Sequence, residues 1–241
     1  MSSLDRTQTP VSGHIRHFDF PEVQATALPN GLDLKICVLP RLPIVSMNLF
    51  LRAGEGGLIE ERAGTAVLTG DALEGGTLKR SGSSLAEALE RIGARLGVST
   101  GWEGTSISVS VLADRLPEAF SLLAEVVLEP EFPIAEVDRA REQQLADLQQ
   151  RGMDPSALAS DEVGRRFYAK GLPYARPQEG TESSIRSVTR DHIRGYAEAC
   201  YRPESGGLIV AGDVDPKQIE SLSGKYLGSW SGSPSLVDTF S

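Results

Sequence analysis

Hydrolytic, redox and metal chemistry need side chains that offer a lone pair near neutral pH, and this chain has few of the most versatile ones. It contains three histidines, His14, His17 and His192, and two cysteines, Cys37 and Cys200. A Ser-His-Asp or Cys-His arrangement requires a histidine in the folded body, where the imidazole takes the nucleophile's proton. Only His192 meets that condition, because His14 and His17 fall in a polar amino-terminal stretch. His192 opens a polar helical segment, which places it on the surface rather than beside a nucleophile. An ordinary zinc site needs several neutral imidazoles or thiolates at helical or knuckle spacing. No His or Cys lies within five residues of another on any predicted element of the body. Cys37 and Cys200 form no C-x-x-C pair and read as buried free thiols.

Three glycine-rich spots could suggest a phosphate cradle: Gly54-Glu55-Gly56-Gly57, Gly75-Gly76-Thr77 and Gly206-Gly207. None has the P-loop or dinucleotide spacing, and the carboxylate of Glu55 would repel a phosphate. Turns and helix caps account for all three.

The elements that would have to position any chemistry are legible from periodicity. Val23 to Leu28 and Leu32 to Leu39 read as strands joined by Pro29-Asn30-Gly31, whose Asn-Gly pair is a hairpin signal. Ile44 to Ala53 and Thr105 to Ala113 alternate, the second putting Ile107, Val109, Val111 and Ala113 on one face and Ser106, Ser108 and Ser110 on the other. Such patterns mark a sheet with one apolar and one wet face; the serine face is either plain surface or the lining of a groove or chamber. Helical spacing predicts helices over Ser84 to Leu96, after Asp114 as N-cap, from Phe132-Pro133 to about Arg151, from Asp154-Pro155, from Thr189 to Tyr201, and from Asp215-Pro216 to Leu227. Gly206 to Val214 reads as a buried strand. This unalternating mixture predicts an α+β fold, a mostly antiparallel sheet with helices packed on one face.

Composition bounds the function. The chain has 241 residues, 40% hydrophobic and 24% charged, with a net charge of −9. That is globular rather than disordered, and the acidic balance argues against a nucleic-acid partner. No apolar run approaches the ~18 residues of a membrane span. No apolar h-region marks an export signal near Met1, which points to the cytoplasm. The expected organisation is an arm over 1–21, one domain over 22–228, and a Ser/Gly/Pro-rich linker or tail over 229–241.

Several short strings follow one another along the chain: Leu28-Pro-Asn-Gly-Leu32, Arg52-Ala-Gly-Glu55, Ala63-Gly-Thr-Ala66, Gly76-Thr77, Leu89-Glu-Arg-Ile-Gly-Ala94, Phe132-Pro133, Arg176-Pro177, Gly180-Thr-Glu-Ser183, Tyr201-Arg-Pro-Glu204 and Val210-Ala-Gly-Asp-Val214. Taken in order, they resemble the insulinase/pitrilysin (inverzincin) metallopeptidases, and among them the bacterial relatives of mitochondrial processing peptidase. Active members carry H-x-x-E-H just before a Gly-Thr, with two zinc-binding histidines on one helix face and a glutamate that activates the bound water. Registered on Gly76-Thr77, that motif falls on Val67-Leu68-Thr69-Gly70-Asp71. Both histidines and the catalytic glutamate are absent. The resemblance places the third ligand at Asp147, an auxiliary acidic position at Ala140, and the Asn-Ala of a substrate-facing strand at Gly97-Val98.

The resemblance therefore implies a non-catalytic member with no catalytic, metal or cofactor-binding residues, in which Val67, Leu68, Ala72 and Leu73 are helix core. It implies pairing with an active zinc-peptidase subunit, or a homo-oligomer, that helps enclose and bind peptide. It also implies a second, similar domain after the linker. Two alternatives stand beside it: a metal-dependent hydrolase using Asp71, Asp147 and Glu74 as carboxylates, or a stand-alone structural or binding module.

Overall fold

The structure, a computed structural model, describes residues 13, 14, 17 and 19–234. The remainder of the expected arm and residues 235–241 lie outside the described residues. Among the described residues, six strands form one sheet: β1 (Val23–Ala27), β2 (Asp33–Val38), β3 (Ile44–Leu51), β4 (Arg95–Thr100), β5 (Thr105–Leu112) and β6 (Gly206–Gly212). Their spatial order is β1-β2-β6-β3-β5-β4, and every neighbouring pair is antiparallel except β2 with β6.

The alternating residues sort onto two faces as the period-2 patterns predict. Leu34, Ile36, Val45, Met47, Leu49, Ile107, Val109, Leu208 and Val210 are buried under the helices. The opposite face mixes the exposed side chains of Ile44, Phe50, Leu112 and Ile209 with serines that bond to one another, to Asn48 and to the backbone. Ser46 Oγ lies 3.1 Å from Ser110 Oγ, and Ser106 Oγ donates to Asn48 Oδ1 at 2.8 Å. Ser108 Oγ donates to Gly97 O at 3.2 Å.

Among the described residues there are eight α-helices: α1 (Thr65–Ala72), α2 (Gly82–Arg91), α3 (Leu116–Leu128), α4 (Ile134–Arg151), α5 (Pro155–Phe167), α6 (Glu182–Ser187), α7 (Arg190–Cys200) and α8 (Pro216–Leu227). Asp154, Thr189 and Asp215 cap α5, α7 and α8 with their side chains, as their positions predict. Two expectations need correction. The helix expected over Ser84 to Leu96 ends at Arg91, because Gly93 takes φ +64°. Ala94 N–H then donates to Leu89 O, and Gly93 N–H to Glu90 O, which closes a Schellman stop. Leu96 belongs to β4. Asp114 does not cap α3: residues 113–115 form a 3₁₀ turn, and the helix starts with Pro117 in its first turn. The short helix α6 had no periodicity to announce it, although Thr181 and Ser184 close a capping box at its start.

The stretch after α8 stays packed as far as Trp230, which is 6% exposed and donates Nε1–H to Tyr201 O at 3.2 Å. Asn30, in the β1–β2 turn, donates to Leu227 O at 2.8 Å and Trp230 O at 2.9 Å. The turn residue thus also fastens the end of α8.

Candidate functional site

The resemblance puts the zinc motif on α1, and several distant segments hold that helix. α1 follows Gly64, whose φ of +84° suits only glycine. Its first N–H groups have no partners within the helix. Glu55, fully buried, supplies them: Oε2 accepts from Gly64 N at 2.9 Å, and Oε1 from Ala66 N at 2.8 Å and Val67 N at 3.2 Å. Burial raises the Glu55 pKa, while the Gly64 N–H, the Arg176 guanidinium and the Val67 and Ala66 N–H groups pull it down. Arg176 donates to Glu55 Oε2 and to the carbonyls of Glu55 and Leu58 at 3.1–3.3 Å.

The loop before α1 is fixed from the other side. Ser184 Oγ donates to Ala63 O at 2.9 Å, and Gln144 Nε2 donates to Glu179 O at 2.7 Å and Gly64 O at 3.4 Å. Gly180 has to be glycine, because a Cβ there would stand 2.5 Å from Ala63 O. Strings that are far apart in the chain, around 55, 63, 176 and 180, therefore converge to position one short helix. After α1, Thr77 Oγ1 donates to the buried Glu125 at 2.5 Å, and Arg80 pairs with the same carboxylate.

On this well-held helix, Leu68, Thr69, Gly70, Ala72 and the following Leu73 are buried. Val67, expected in the core, is only half-buried. Gly70 lies against β4: a Cβ built on it would stand 2.4 Å from Thr100 Oγ1 and 3.3 Å from Val98 Cγ1. Asp71 and Asp147 are both exposed by surface area and near enough to influence each other. Burial of the carboxyl, then Asp147, then Glu74, push the Asp71 pKa up to about 6. Burial raises the Glu74 pKa and Arg139 opposes it. Asp147 Oδ1 accepts from Gln143 Nε2 at 3.0 Å, and Ala140 packs half-buried on the core.

The residues present do not fit a zinc ion. Valine has no lone pair and glycine no side chain, so two carboxylates remain where a catalytic zinc takes three protein ligands. No base stands at position 70, and its space is filled by Thr100. Among the described residues, no three His, Cys, Asp or Glu side chains are grouped so as to hold a metal ion.

The histidines lie elsewhere. His192 Nδ1 accepts the Thr189 N–H at 3.1 Å, closing the capping box of α7, and Arg62 Nη1 lies 3.4 Å from the same atom. Burial, then Arg62, hold the His192 pKa below the ordinary imidazole value. His14 and His17 are exposed, and His17 pairs with Asp19. Cys200 is buried, its thiol pushed up to about 11 by burial. Cys37, expected to be buried, is only half-buried on the mixed sheet face.

β4 is the strand next to α1, and it ends the sheet. The Gly101 N–H to Gly104 O bond sets the phase of its ladder with β5. Leu96 and Val98 accordingly turn their backbone N–H and C=O away from β5. Gln178 Nε2 donates to Thr100 O at 2.6 Å and closes one end of this edge. Gln178 and Glu55 escaped notice as functional positions. The presence of Glu55 and of Arg176 in two of the ordered strings was the available signal for that pair.

A profile described as Insulinase (Peptidase family M16) matches residues 41–180, and one described as Peptidase M16 inactive domain matches residues 187–239. The chain belongs to the insulinase family, Peptidase family M16. It is 30% identical over 210 residues to an uncharacterized zinc protease of Mycobacterium leprae, covering 85% of this chain and 46% of that one. It is 24% identical over 208 residues to the mitochondrial-processing peptidase subunit beta of Saccharomyces cerevisiae, covering 86% and 45%. The crystal structure of a peptidase M16 inactive domain from Pseudomonas fluorescens superposes with a TM-score of 0.83 at 25% identity, over 90% of this chain and 53% of that one. The chain spans about half the length of the curated relatives it matches.

Proposed function

We propose that this chain is a peptidase-like domain without hydrolytic activity, which works beside an active zinc peptidase of its own family and helps to hold peptide. The content of α1 carries this reading: Val67, Gly70 and Asp71 stand where two ligands and a base are needed, on a helix kept in place by Glu55 and Arg176. Replacing ligands by valine and glycine leaves no unpaired buried charge, so the fold tolerates the loss. The outward backbone groups of Leu96 and Val98 suit an added peptide strand, and the hydrogen-bonded serines of the mixed sheet face suit a wet chamber wall. The yeast relative, named as one subunit of a processing peptidase, supports pairing with a partner.

The test is peptide cleavage by the purified chain with excess zinc. No turnover is expected. Turnover that disappears in Asp71→Ala overturns the reading. The proximity of Asp71 to Asp147 favours one second reading, a hydrolase on a carboxylate-bound metal. Stoichiometric metal by elemental analysis would support it. Co-purification from the native host separates the paired subunit from a module that acts alone.

A further inference from the structure

The clasp between the first hairpin and the end of α8 rests on a chemically fragile pair. In Asn30-Gly31 the glycine has no side chain to hinder attack by its backbone nitrogen on the asparagine side chain. The fold requires both residues. Gly31 takes φ +87°, and a Cβ on it would stand 2.9 Å from Glu204 Cγ. Asn30, half-buried, uses both ends of its amide. Nδ2 donates to Leu227 O at 2.8 Å and to Trp230 O at 2.9 Å, and Oδ1 accepts from Leu32 N at 3.3 Å. Gly31 N–H donates to Leu28 O at 3.0 Å. The nitrogen that would attack and the amide that would leave are therefore both held while the segment after α8 is down. That segment is held in turn by Trp230 Nε1–H on Tyr201 O, and by Arg202 Nη1, which donates to Ser231 O at 3.2 Å.

We propose that Asn30 is a site of spontaneous deamidation gated by the segment after α8, and that its conversion releases that segment irreversibly. When residues 227–231 lift, Nδ2 loses both acceptors and the side chain is free to turn. The Gly31 nitrogen then bonds to Asn30 Cγ and the Cγ–Nδ2 bond breaks. The side-chain nitrogen leaves as ammonia, carrying the Gly31 proton. Water opens the cyclic imide at either carbonyl and gives aspartate or isoaspartate, with no change of oxidation state. Neither product closes the clasp again. An ionised carboxylate only accepts, so it repels the Leu227 and Trp230 carbonyls where the amide donated to both. Isoaspartate also lengthens the main chain by one carbon inside a turn that the Leu28 and Leu32 hydrogen bonds define.

Incubation of the chain at mildly alkaline pH, followed by peptide mapping for the amide-to-acid mass change, tests this. Asn48 is the internal control: it is the other asparagine of the chain, precedes the bulky Leu49 and lies within β3. Asn30 of the folded parent is expected to convert at least tenfold more slowly than in the same chain held in urea. Trp230→Ala, which removes the anchor, is expected to raise the folded rate at least tenfold, and Arg202→Ala to raise it less. Glu55→Ala weakens the fold outside the clasp and is expected to leave the rate near that of the parent. Equal acceleration by Trp230→Ala and Glu55→Ala would mean that Asn30 reacts only on general unfolding, and overturns the proposal. So does a folded parent that converts as fast as the chain in urea. Asn30→Asp copies one product. In a Trp102→Phe background its Trp230 fluorescence is expected to be more open to acrylamide quenching than that of the Asn30 protein, and equal quenching overturns the release.

Discussion

Asp71 is the residue at which electrostatics speaks most clearly. The unfolded chain loses this proton near pH 3.8, whereas burial and the neighbouring Asp147 and Glu74 hold it to about pH 6 in the folded chain. Between those values the folded state binds more protons, so this group's contribution to stability falls as pH rises through the window. Above it, the ionised Asp71 opposes folding. Asp71→Asn is expected to raise the melting temperature near neutral pH and to change little at about pH 4 or below. The gain is under about 1 kcal/mol, because much of Asp71 stays in contact with solvent even though its carboxyl is partly desolvated, and that solvent screens the neighbouring charges. Thermal melts of the two proteins at both pH values check it, and no gain near neutrality would mean the carboxylates are not in conflict. That valine, glycine and aspartate stand at 67, 70 and 71 was legible from residue identity alone. The reason Gly70 suits its place was not, because Thr100, the atom group against it, lies thirty residues away in a strand whose start had been read as helix.

At the scale of the element, the helix that would carry a metal in an active relative is held here by a buried carboxylate. Glu55→Ala would strand the N–H groups of Gly64, Ala66 and Val67 and leave Arg176 without its carboxylate partner. The expected cost is about 3–5 kcal/mol, read from the urea midpoint. Glu55→Gln, which keeps one accepting oxygen, is expected to lose less. Equal stability of Glu55→Ala and the parent would dismiss the capping role. Most elements were legible because their signals are local: alternation for β3 and β5, and Asp or Thr caps for α5, α7 and α8. The failures were local signals outweighed by others. Leu96 continued the helical spacing of α2 until the φ of Gly93 ended it, and Pro117 set the start of α3 in place of Asp114. The Glu55–Arg176 pair spans 121 positions, beyond any periodicity.

Across the whole molecule, the two ends of the described body meet. Trp230 packs at the end of α8, bonded to Tyr201 O, while Asn30 in the first hairpin grips the same backbone. Trp230→Ala is expected to lower stability by about 3–5 kcal/mol. Tryptophan fluorescence of the parent, whose other indole is Trp102, together with thermal melts of both proteins, checks this; a loss below about 1 kcal/mol would show that the tail is dispensable. The close seat of α1 on β4 also bears on how this lineage can change. A mutant with glutamate at 70 meets the Thr100 hydroxyl before it meets any substrate, so that substitution is penalised until helix and strand move apart. On the proposed non-hydrolytic reading, selection for cleavage would have to reshape the joint before it could reward a base at 70, and the lack of one would behave as a ratchet.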